Sequence, residues 1–455
     1  MTEEQTELRP WVKLAEMAEQ DDGEALDAFL DEMSVGDTAR AISRLEPEGQ
    51  EKVITTLPPQ DAADLIEELP DRQAADLLTK IPPHDAASIL EELPSNQLAD
   101  LIGLLDADRA EQILTELNPE TASKFQRLAH YPPDVAGGLM ITEYLSYNET
   151  TRVQDVVNDM RAHAEAYSDY DVQYTYVVSE KGALKGVLRL RDLILAPGGT
   201  TLSNMMILDP IHVQDTAPLD ELAEFFDRHQ FIGVPVVDKT RTLLGVVRRY
   251  DVEEALADRS GNDYLKSQGI VGGEEFRTMP VWRRASRRLS WLSINILLNI
   301  VAASVIAAYQ DTLSAVIALA VFLPIISDMS GCSGTQAVAV SMRELSLGLV
   351  RPFEALRVWG KELTVGSING VALGLLLGGV GWLWKGNLYL GLVVGVAMAL
   401  NTVVSVSIGG TVPLILKRFK VDPALASGPI LTTITDMFGF FLVLSFATLM
   451  LAKLA

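Results

Sequence analysis

The sequence predicts a multidomain protein with three architectures: an α-helical superhelical repeat domain, an α/β pair of similar subdomains, and an all-α five-helix transmembrane domain. The first rests on a 12-residue period, the second on a longer repeat offset by 59 residues, and the third on five long apolar stretches. A chain of 455 residues is long enough for about three domains. The expected parts are a repeat domain at 1–135, subdomains at 136–200 and 201–260, a connecting helix at 261–288, and the transmembrane domain at 289–455.

The 12-residue period runs from residue 45 to about residue 120, in units such as "LPPQDAADLIEE" and "LPDRQAADLLTK". Pro or Asp follows most of the opening apolar residues, and both residue types favour the first turn of a helix. Each unit therefore predicts a turn followed by a two-turn helix, and stacked units of this kind form an α-solenoid. The period alone indicates a structural domain or a docking surface for a partner. The opening residues are Leu45, Leu57, Leu69, Ile81, Leu93 and Leu105.

The longer repeat places "YVVSEKGALKGVLRLRDLI" (176–194) over "PVVDKTRTLLGVVRRYDVE" (235–253). Gly186 falls on Gly245, and Asp192 falls on Asp251. Each copy predicts a short strand, a turn, a second strand and a helix that starts at the Asp, which is an α/β pattern.

This pattern resembles a tandem pair of CBS domains. Such pairs commonly bind adenine nucleotides in the cleft between the two copies, and the resemblance places Tyr174, Arg191, Asp192 and Pro235 around a nucleotide. An Arg suits a phosphate group, and an Asp suits the ribose. The second copy has Tyr250 where the first has Arg191, so we expect at most one well-formed site. A structural pair with an empty cleft is the alternative.

Each of the five apolar stretches is near or above the roughly 20 residues that a membrane-spanning helix needs. Lys and Arg cluster before the first stretch, between the second and third, and between the fourth and fifth, whereas the other two connections contain only Lys385. Cytoplasmic loops carry the excess of Lys and Arg. We therefore expect a protein of the bacterial inner membrane with its soluble half in the cytoplasm and its C-terminus outside. The stretches cover residues 291–309, 313–340, 363–384, 388–416 and 427–452.

The formal net charge of −24 combines two opposite halves. Residues 1–280 hold 24 Lys and Arg against 54 Asp and Glu, a charge of −30, while residues 281–455 hold 13 against 7, a charge of +6. An acidic soluble half argues against nucleic acid as a partner and favours attraction of cations. The single Cys332 excludes an internal disulfide, and the polar start "MTEEQTELRPWVK" predicts no cleavable signal.

Polar residues at membrane depth are the candidate functional residues. Asp436 lies in the middle of "ILTTITDMFGFF", with Thr432 and Thr435 as polar neighbours, and Asp328 lies in "LPIISDMSGCSGTQ". Glycines and prolines beside them, and in "LNTVVSVSIGGTVP" (400–413), predict local helix breaks whose carbonyls line a wet cavity. Carboxylates, hydroxyls and carbonyls suit hard divalent cations. The alternatives are helix packing for the glycines and prolines, and a neutral structural carboxyl for Asp436.

The order of these parts resembles the MgtE family of magnesium channels, with local signatures in "AGGLM" (136–140), "KGVLRLRDLI" (185–194) and "DPALASGPILTTITD" (422–436). The resemblance implies a homodimer in which Asp436 binds a hydrated Mg²⁺. It also implies acidic cytoplasmic interfaces that bind Mg²⁺ and hold the pore shut when intracellular Mg²⁺ is ample. A solvated acidic face is the alternative for each regulatory residue. These residues are Asp220, Glu221, Asp251, Glu254 and Asp263.

Two departures from the family pattern concern the pore. Typical members have a "GGNxGNQ"-like stretch where this chain has "SGCSGTQ", so Cys332 and Thr335 replace amides. Gly428 stands where an amide often precedes the Pro of the last motif, and Asp328 stands where a small neutral residue is usual. We therefore expect a more negative pore, in which Asp328 is a metal-binding residue together with Asp436 and Thr432.

The expected function is a divalent-cation channel or transporter for Mg²⁺, gated by cytoplasmic Mg²⁺, with an adenine nucleotide such as ATP as a regulatory ligand. Entry driven by the membrane potential needs no hydrolysis, and the sequence has no Walker-type motif, so we expect no enzymatic activity. Three alternatives stay open: a cation exchanger coupled to Na⁺ or H⁺, a transporter for another divalent metal such as Co²⁺, and a membrane-anchored nucleotide sensor.

Overall fold

The computed structural model describes residues 9–20, 22–164, 167, 170, 173–273, 275, 277 and 279–454. The first eight residues of the polar start lie outside these described residues. The chain divides into two compact units, one ending at Ala257 and the other beginning at Asp258. The first unit contains short helices and two small sheets, and the second contains long apolar helices. The predicted helical domain, α/β pair and domain of apolar helices are therefore confirmed.

The first unit begins with a helical repeat in which eight helices start every 12 residues, from Val35 to Pro119. The predicted opening residues lie just before these helices and pack into one core; Leu57 is 5% exposed and Ile81 is 2% exposed. Alternate helices contact each other, as stacked repeats require. The repeat thus extends one unit beyond the predicted region at each end, and its helices are 8 to 10 residues long. The helices are α1 (Pro10–Glu19), α2 (Gly23–Asp31), α3 (Val35–Arg44), α4 (Pro47–Thr56), α5 (Pro59–Glu68), α6 (Asp71–Leu78), α7 (Pro83–Glu92), α8 (Ser95–Leu104), α9 (Ala107–Glu116) and α10 (Pro119–Leu128).

The CBS pair contains one sheet for each copy. In the first sheet the order is β1-β2-β3-β4, and in the second it is β5-β6-β7. The inner strands of the two copies differ in position by 59 residues, as the sequence repeat predicts, and Val177 pairs with Gly186 as Val236 pairs with Gly245. The strands are β1 (Leu145–Asn148), β2 (Tyr174–Val178), β3 (Leu184–Arg189), β4 (Ile207–Leu208), β5 (Val213–Gln214), β6 (Gly233–Val237) and β7 (Leu243–Arg248). The helices here are α11 (Ala136–Leu139), α12 (Val153–Ala162), α13 (Leu190–Leu195), α14 (Leu219–Arg228) and α15 (Arg249–Ser267).

The hairpin turns of the two copies contact each other through backbone hydrogen bonds. Leu184 N donates to Arg241 O at 2.9 Å, and Leu243 N donates to Gly182 O at 3.1 Å. Gly182 and Arg241 are equivalent positions of the repeat, and both take a left-handed conformation, with φ of +78° and +66°. Glycine adopts this conformation freely, whereas an L side chain is strained there.

The segment predicted as a connecting helix at 261–288 is helical only as far as Ser267 and again from Val281. Gly269, Gly272 and Gly273 take positive φ of +83°, +98° and +74°. A left-handed residue of this kind ends an α-helix, so the prediction of one continuous connecting helix was wrong.

Among the described residues, the second unit contains the end of α15, five long α-helices and two short ones. Within the described part of the chain, four helical segments have the length and apolar composition to cross a membrane: Val281–Ala308, Pro352–Lys385, Leu388–Arg418 and Pro423–Leu449. The predicted second span is a helix of 28 residues, but its polar "SDMSGCSGTQ" stretch lowers its hydropathy. The helices are α16 (Val281–Ala308), α17 (Gln310–Ala315), α18 (Leu319–Ser346), α19 (Ala355–Lys385), α20 (Leu388–Arg418), α21 (Pro423–Leu449) and α22 (Leu451–Leu454).

The most extensive contact between two described helices of this unit is that of α19 with α20. Four glycines of α19 recur every fourth residue and face α20, three of them against Gly391, Gly395 and Ala399 and the first against Val403. A Cβ added to Gly370 would lie 2.5 Å from the carbonyl oxygen of Ala399, and one added to Gly374 would lie 2.6 Å from that of Gly395. The two backbones therefore touch with almost no side chain between them, as small residues allow in membrane helices. The four glycines are Gly366, Gly370, Gly374 and Gly378.

Candidate functional site

Asp436 lies near the middle of α21 and faces α18. The residue is only 7% exposed, and one of its carboxylate oxygens accepts a hydrogen bond from Ser327 Oγ on α18. The adjacent Thr435 is fully buried, and its hydroxyl donates to Thr432 O at 3.0 Å. A carboxylate in an apolar helix bundle is costly unless it is hydrogen-bonded, protonated or paired with a cation. The position of Asp436 therefore suits the binding of a cation or a proton.

The helices around this residue are continuous, and the predicted helix breaks were wrong. α18, α20 and α21 run without interruption through Pro324, Pro413 and Pro429. A proline removes one backbone hydrogen bond, whereas a full break between apolar helices would leave several backbone groups unpaired. Gly334 and Gly409 serve close packing instead, because a Cβ on Gly409 would collide with the backbone of Gly334.

Asp328 and Thr432 lie on exposed parts of the helices that carry Asp436 and its partner. Asp328 follows Ser327 on α18, so its side chain is rotated by about 100° around the helix from the serine that binds Asp436. Cys332 is exposed one turn further along the face of Asp328. Thr432 precedes Asp436 by one turn, and its hydroxyl donates to Gly428 O at 2.9 Å. A role of Asp328 and Thr432 in ion binding stays a prediction.

A third helix packs a buried polar group against the helix that carries Asp436. Asn401 on α20 is fully buried, and its Nδ2 atom lies 2.7 Å from the place that a Cβ on Gly439 would occupy. Among the described residues, neither amide atom of Asn401 has a hydrogen-bond partner. The buried hydroxyls nearby differ, since Thr402 donates to Met398 O at 2.9 Å and Ser405 donates to a carbonyl of α18.

The CBS pair contains a small, open cleft. The rings of Tyr144, Tyr174 and Tyr176 line it together with Arg248 and Glu143. Aromatic rings suit stacking against a purine, and a guanidinium suits a phosphate group.

The four predicted nucleotide-binding residues have different surroundings. Tyr174 lines the cleft. Pro235 is buried in β6 opposite Val246, which also lines the cleft. Arg191 is exposed, and its guanidinium lies 3.5 Å from the carboxylate of Asp192. The roles of Arg191, Asp192 and Pro235 in nucleotide binding stay predictions.

The predicted regulatory acids also differ in exposure. Asp220 and Glu221 are exposed in the first turn of α14, and Glu254 is exposed on α15. Asp251 is only 5% exposed, and Arg248 donates two hydrogen bonds to its carboxylate, at 2.9 and 2.7 Å. In the part of the chain that the structure describes, no three Asp, Glu, His or Cys residues lie together as a metal site.

Asp263, the fifth of these acids, lies beside Lys266 near the end of α15. Lys266 Nζ is 3.9 Å from the carboxylate of Asp263 and 3.0 Å from that of Asp422. Burial raises the pKa of Asp263, and the ammonium group of Lys266 lowers it in part. Asp422 is also the N-cap of α21, where it accepts a hydrogen bond from Ala424 N at 2.9 Å. Lys266 therefore joins the end of α15 to the start of the helix that carries Asp436.

Three family models match successive parts of the chain. The MgtE intracellular N domain matches residues 33–134, the CBS domain matches 135–199 and 202–258, and the divalent cation transporter MgtE matches 323–446. The magnesium transporter MgtE of Thermus thermophilus is 34% identical over 340 residues, which are 74% of each chain. This chain belongs to the MgtE family.

The chain is also similar to a second curated relative and to two solved structures. The magnesium transporter MgtE of Bacillus subtilis is 32% identical over 323 residues, or 71% of each chain. A crystal structure of the cytosolic domain of the Mg²⁺ channel MgtE in complex with ATP is 33% identical and covers 54% of this chain and 99% of its own, with a TM-score of 0.49. The soluble part of a magnesium transporter is 24% identical and covers 55% and 98%, with a TM-score of 0.49.

Three residues of this MgtE chain were missed by sequence reasoning. Ser327 precedes the conspicuous Asp328, and nothing in the sequence indicates that it is the residue that contacts Asp436. Arg248 could have been found from the repeat, because it lies 59 residues after Arg189 and ends the same strand in the second copy. Lys266 is the basic residue in the last turn of an acidic helix, but its contact with Asp422 joins distant parts of the sequence.

Proposed function

We propose that this protein is a magnesium channel whose ion path passes Asp436. One observation carries the proposal: Asp436 is a nearly buried carboxylate in an otherwise apolar helix, hydrogen-bonded to Ser327 of a neighbouring helix. Ionisable groups at membrane depth are expensive and mark ion or proton pathways. Relatives with 32–34% identity are named magnesium transporters, which supports Mg²⁺ as the transported ion.

The chemistry of Mg²⁺ fits a site with few carboxylates. Mg²⁺ releases water reluctantly and keeps several waters when one or two carboxylates bind it. We infer that Asp436 binds the hydrated ion and that Thr432, one turn away, contacts its waters. In a homodimer, a second Asp436 across the symmetry axis would supply two carboxylates and balance the charge of the ion. The exposed Asp328 would add negative charge to the same path.

Transport along the electrochemical gradient requires no catalytic step. The membrane potential contributes about 2.3 kcal/mol per charge per 100 mV, or about 4.6 kcal/mol for a dication. An inside-negative potential therefore drives Mg²⁺ entry without hydrolysis of a nucleotide and without a coupled ion.

We further propose five spans in a bacterial inner membrane, within the domain boundaries predicted from the sequence, with the N-terminal domains in the cytoplasm and the C-terminus outside. α18 has 28 residues and is therefore about 42 Å long, more than the roughly 30 Å hydrocarbon core. Its contacts with α20 and α21 support its position as the second span. Apolar side chains of α16 are exposed, as Leu297 at 65% and Ile300 at 61%, which suits contact with lipid or with a second subunit.

Cytoplasmic Mg²⁺ is proposed to close the channel by bridging acidic residues. The charge of −30 on residues 1–280 supports this proposal, because repelling carboxylates gain from a bound dication. The exposed acids Asp220, Glu221 and Glu254 are accessible to a dissolved cation, whereas Asp251 is only 5% exposed. Limited proteolysis tests the proposal: protection of the cytoplasmic half should rise with millimolar Mg²⁺, and unchanged cleavage at all Mg²⁺ concentrations would contradict it.

An adenine nucleotide such as ATP is proposed as a regulatory ligand of the cleft in the CBS pair. The three tyrosine rings support purine stacking, and a phosphate group would compete with Asp251 for the guanidinium of Arg248. Titration calorimetry with ATP on the full-length protein should show binding that Tyr174→Ala weakens. Comparing Arg248→Ala with Arg191→Ala then decides which arginine contacts the phosphates. Absence of binding to the wild-type protein would favour a structural CBS pair.

The decisive experiment is Mg²⁺ uptake into liposomes that contain the purified protein. Asp436→Ala should abolish uptake, whereas Asp311→Ala, which removes an exposed carboxylate from the short α17, should preserve it. Flux that requires a Na⁺ or H⁺ gradient would show an exchanger, and uptake of Co²⁺ in preference to Mg²⁺ would show another cargo. Full uptake by Asp436→Ala would refute the ion path, and a protein that binds nucleotide but moves no cation would be a membrane-anchored sensor.

A further inference from the structure

Asn401 is a polar group that the fold itself does not use. It is fully buried on α20, and neither its Oδ1 nor its Nδ2 atom has a hydrogen-bond partner among the described residues. Unpaired amides are disfavoured in protein interiors, and between membrane helices bulk water does not compensate for them. A leucine has nearly the same shape and would carry no such penalty. The presence of an amide at this position therefore requires an explanation other than packing.

The geometry around Asn401 places its amide in the same layer as Asp436. Its Nδ2 atom lies 2.7 Å from the position that a Cβ on Gly439 would occupy, and the same position is 3.5 Å from Ile326. Gly439 follows Asp436 by three residues, and residues at this spacing on a helix have Cβ positions about 5–6 Å apart. Ile326 precedes Ser327, the residue that donates to Asp436. The amide of Asn401 and the carboxylate of Asp436 are therefore at a similar level of the helix bundle.

We propose that Asn401 is a further ion-path residue: its amide, which packs directly against Gly439, binds a water molecule of the hydrated cation held at Asp436. A carboxamide suits this role because its oxygen accepts a hydrogen bond from metal-bound water while its NH₂ group donates to the carboxylate. The group recognised is therefore the water shell of a small divalent cation. This inference rests on the proposed ion path at Asp436.

The test uses Asn401→Leu in the full-length protein, reconstituted in liposomes with an imposed potential. We expect Mg²⁺ uptake to fall by roughly tenfold, which is the effect of losing about one hydrogen bond to a charged group. The ratio of Mg²⁺ to Ca²⁺ uptake should change as well, because the water shell would no longer be held on this side. Thermal stability should stay the same or rise, since an unpaired buried amide is removed. Unchanged uptake with unchanged ion preference would overturn the inference.

Two further variants keep the result interpretable. Gly439→Ala retains the amide but displaces it, because the added Cβ would lie 2.7 Å from Nδ2, and it should lower uptake in the same direction even if Asn401→Leu does not fold. Ser407→Ala is the matched control, because Ser407 is another buried group of α20 without a partner among the described residues; it should leave uptake and ion preference unchanged.

Asp436→Ala in the same liposomes separates the two proposals. If it abolishes uptake while Asn401→Leu and Gly439→Ala do not reduce it, only the role of Asn401 is refuted. If Asp436→Ala retains uptake, the ion path at Asp436 is refuted, and the role of Asn401 fails with it.

Discussion

Replacing Gly374 with alanine tests how far the close approach of α19 and α20 stabilises the transmembrane domain. The added Cβ would lie 2.6 Å from the carbonyl oxygen of Gly395 and 2.9 Å from the Cβ of Ala399. Carbon and oxygen atoms at a helix contact normally stay at least about 3.3 Å apart, so the two helices must separate by roughly 0.7 Å. A gap of that size removes about a quarter to a half of each van der Waals contact.

Two opposing effects set the magnitude. Overpacking of a well-packed contact costs about 1–3 kcal/mol, while exchange of Gly for Ala within a helix contributes about 0.5–1 kcal/mol of stability. We expect Gly374→Ala to destabilise the protein by about 1–2 kcal/mol. The control is Gly379→Ala on the same helix, where no atom lies within 4 Å of the added Cβ; this variant should be unchanged or up to about 1 kcal/mol more stable.

The assay is reversible unfolding of the purified protein by SDS in mixed micelles, followed by tryptophan fluorescence. α19 supplies three of the six tryptophans of the chain, so the signal reports on this helix directly. The two variants should move the unfolding midpoint in opposite directions, or Gly374→Ala alone should lower it. Equal midpoints for both variants would refute the conclusion that backbone contact, rather than helix propensity, explains the glycines.

Three other predictions concern the first unit and the end of α15. Burial, reinforced by the charge of Asp71, raises the pKa of Asp100 to about 7. The folded state therefore keeps a proton that the unfolded state loses near pH 4. The free energy of unfolding should fall by about 2–4 kcal/mol as the pH rises from 4 to 7. Asp100→Asn should remove this dependence and raise the hydrogen-exchange protection of α8 at pH 8, and equal protection in both proteins would contradict it. Lys266→Gln removes the ammonium group beside Asp422, so Mg²⁺ should inhibit uptake at a several-fold lower concentration; an unchanged or higher inhibitory concentration argues against competition by the lysine. Glu143→Gln removes the charge that accepts hydrogen bonds at the start of α8 and should reduce local exchange protection there by about 1–2 kcal/mol, whereas unchanged protection would show that the charge is unimportant.

The features with a regular period were predictable from the sequence. Leu57 and Ile81 mark the 12-residue units because each unit buries the same position, and the 59-residue offset from Val177 to Val236 fixes equivalent strands because both copies fold alike. Asp436 was predictable for a different reason, since a lone carboxylate in an apolar span has few structural explanations. The sequence contains both repeats in full, and it contains the apolar segment in which Asp436 is conspicuous.

Other features depended on contacts between distant segments. From the sequence, Gly334 and Gly409 predicted helix breaks. In the structure the two glycines lie against each other. Neither segment of the sequence alone indicates which residue packs against it. Ser327 and Asn401 have the same difficulty, because their importance comes from facing α21. The glycines at 269, 272 and 273 were visible in the sequence, and their tendency to take positive φ should have been weighed against a continuous connecting helix.

The four-residue spacing of small residues between α19 and α20 has a consequence for how the two helices hold their alignment. A row that repeats every four residues looks nearly the same after a slip of one repeat, about 6 Å along the axis, so the row itself selects an alignment only weakly. The tight connection at Gly386 and Asn387 removes this ambiguity: Gly386 ends α19 with φ of +65°, and the Asn387 side chain accepts hydrogen bonds from the first backbone N–H groups of α20. The turn therefore fixes the position of α19 and α20 relative to each other along their axes.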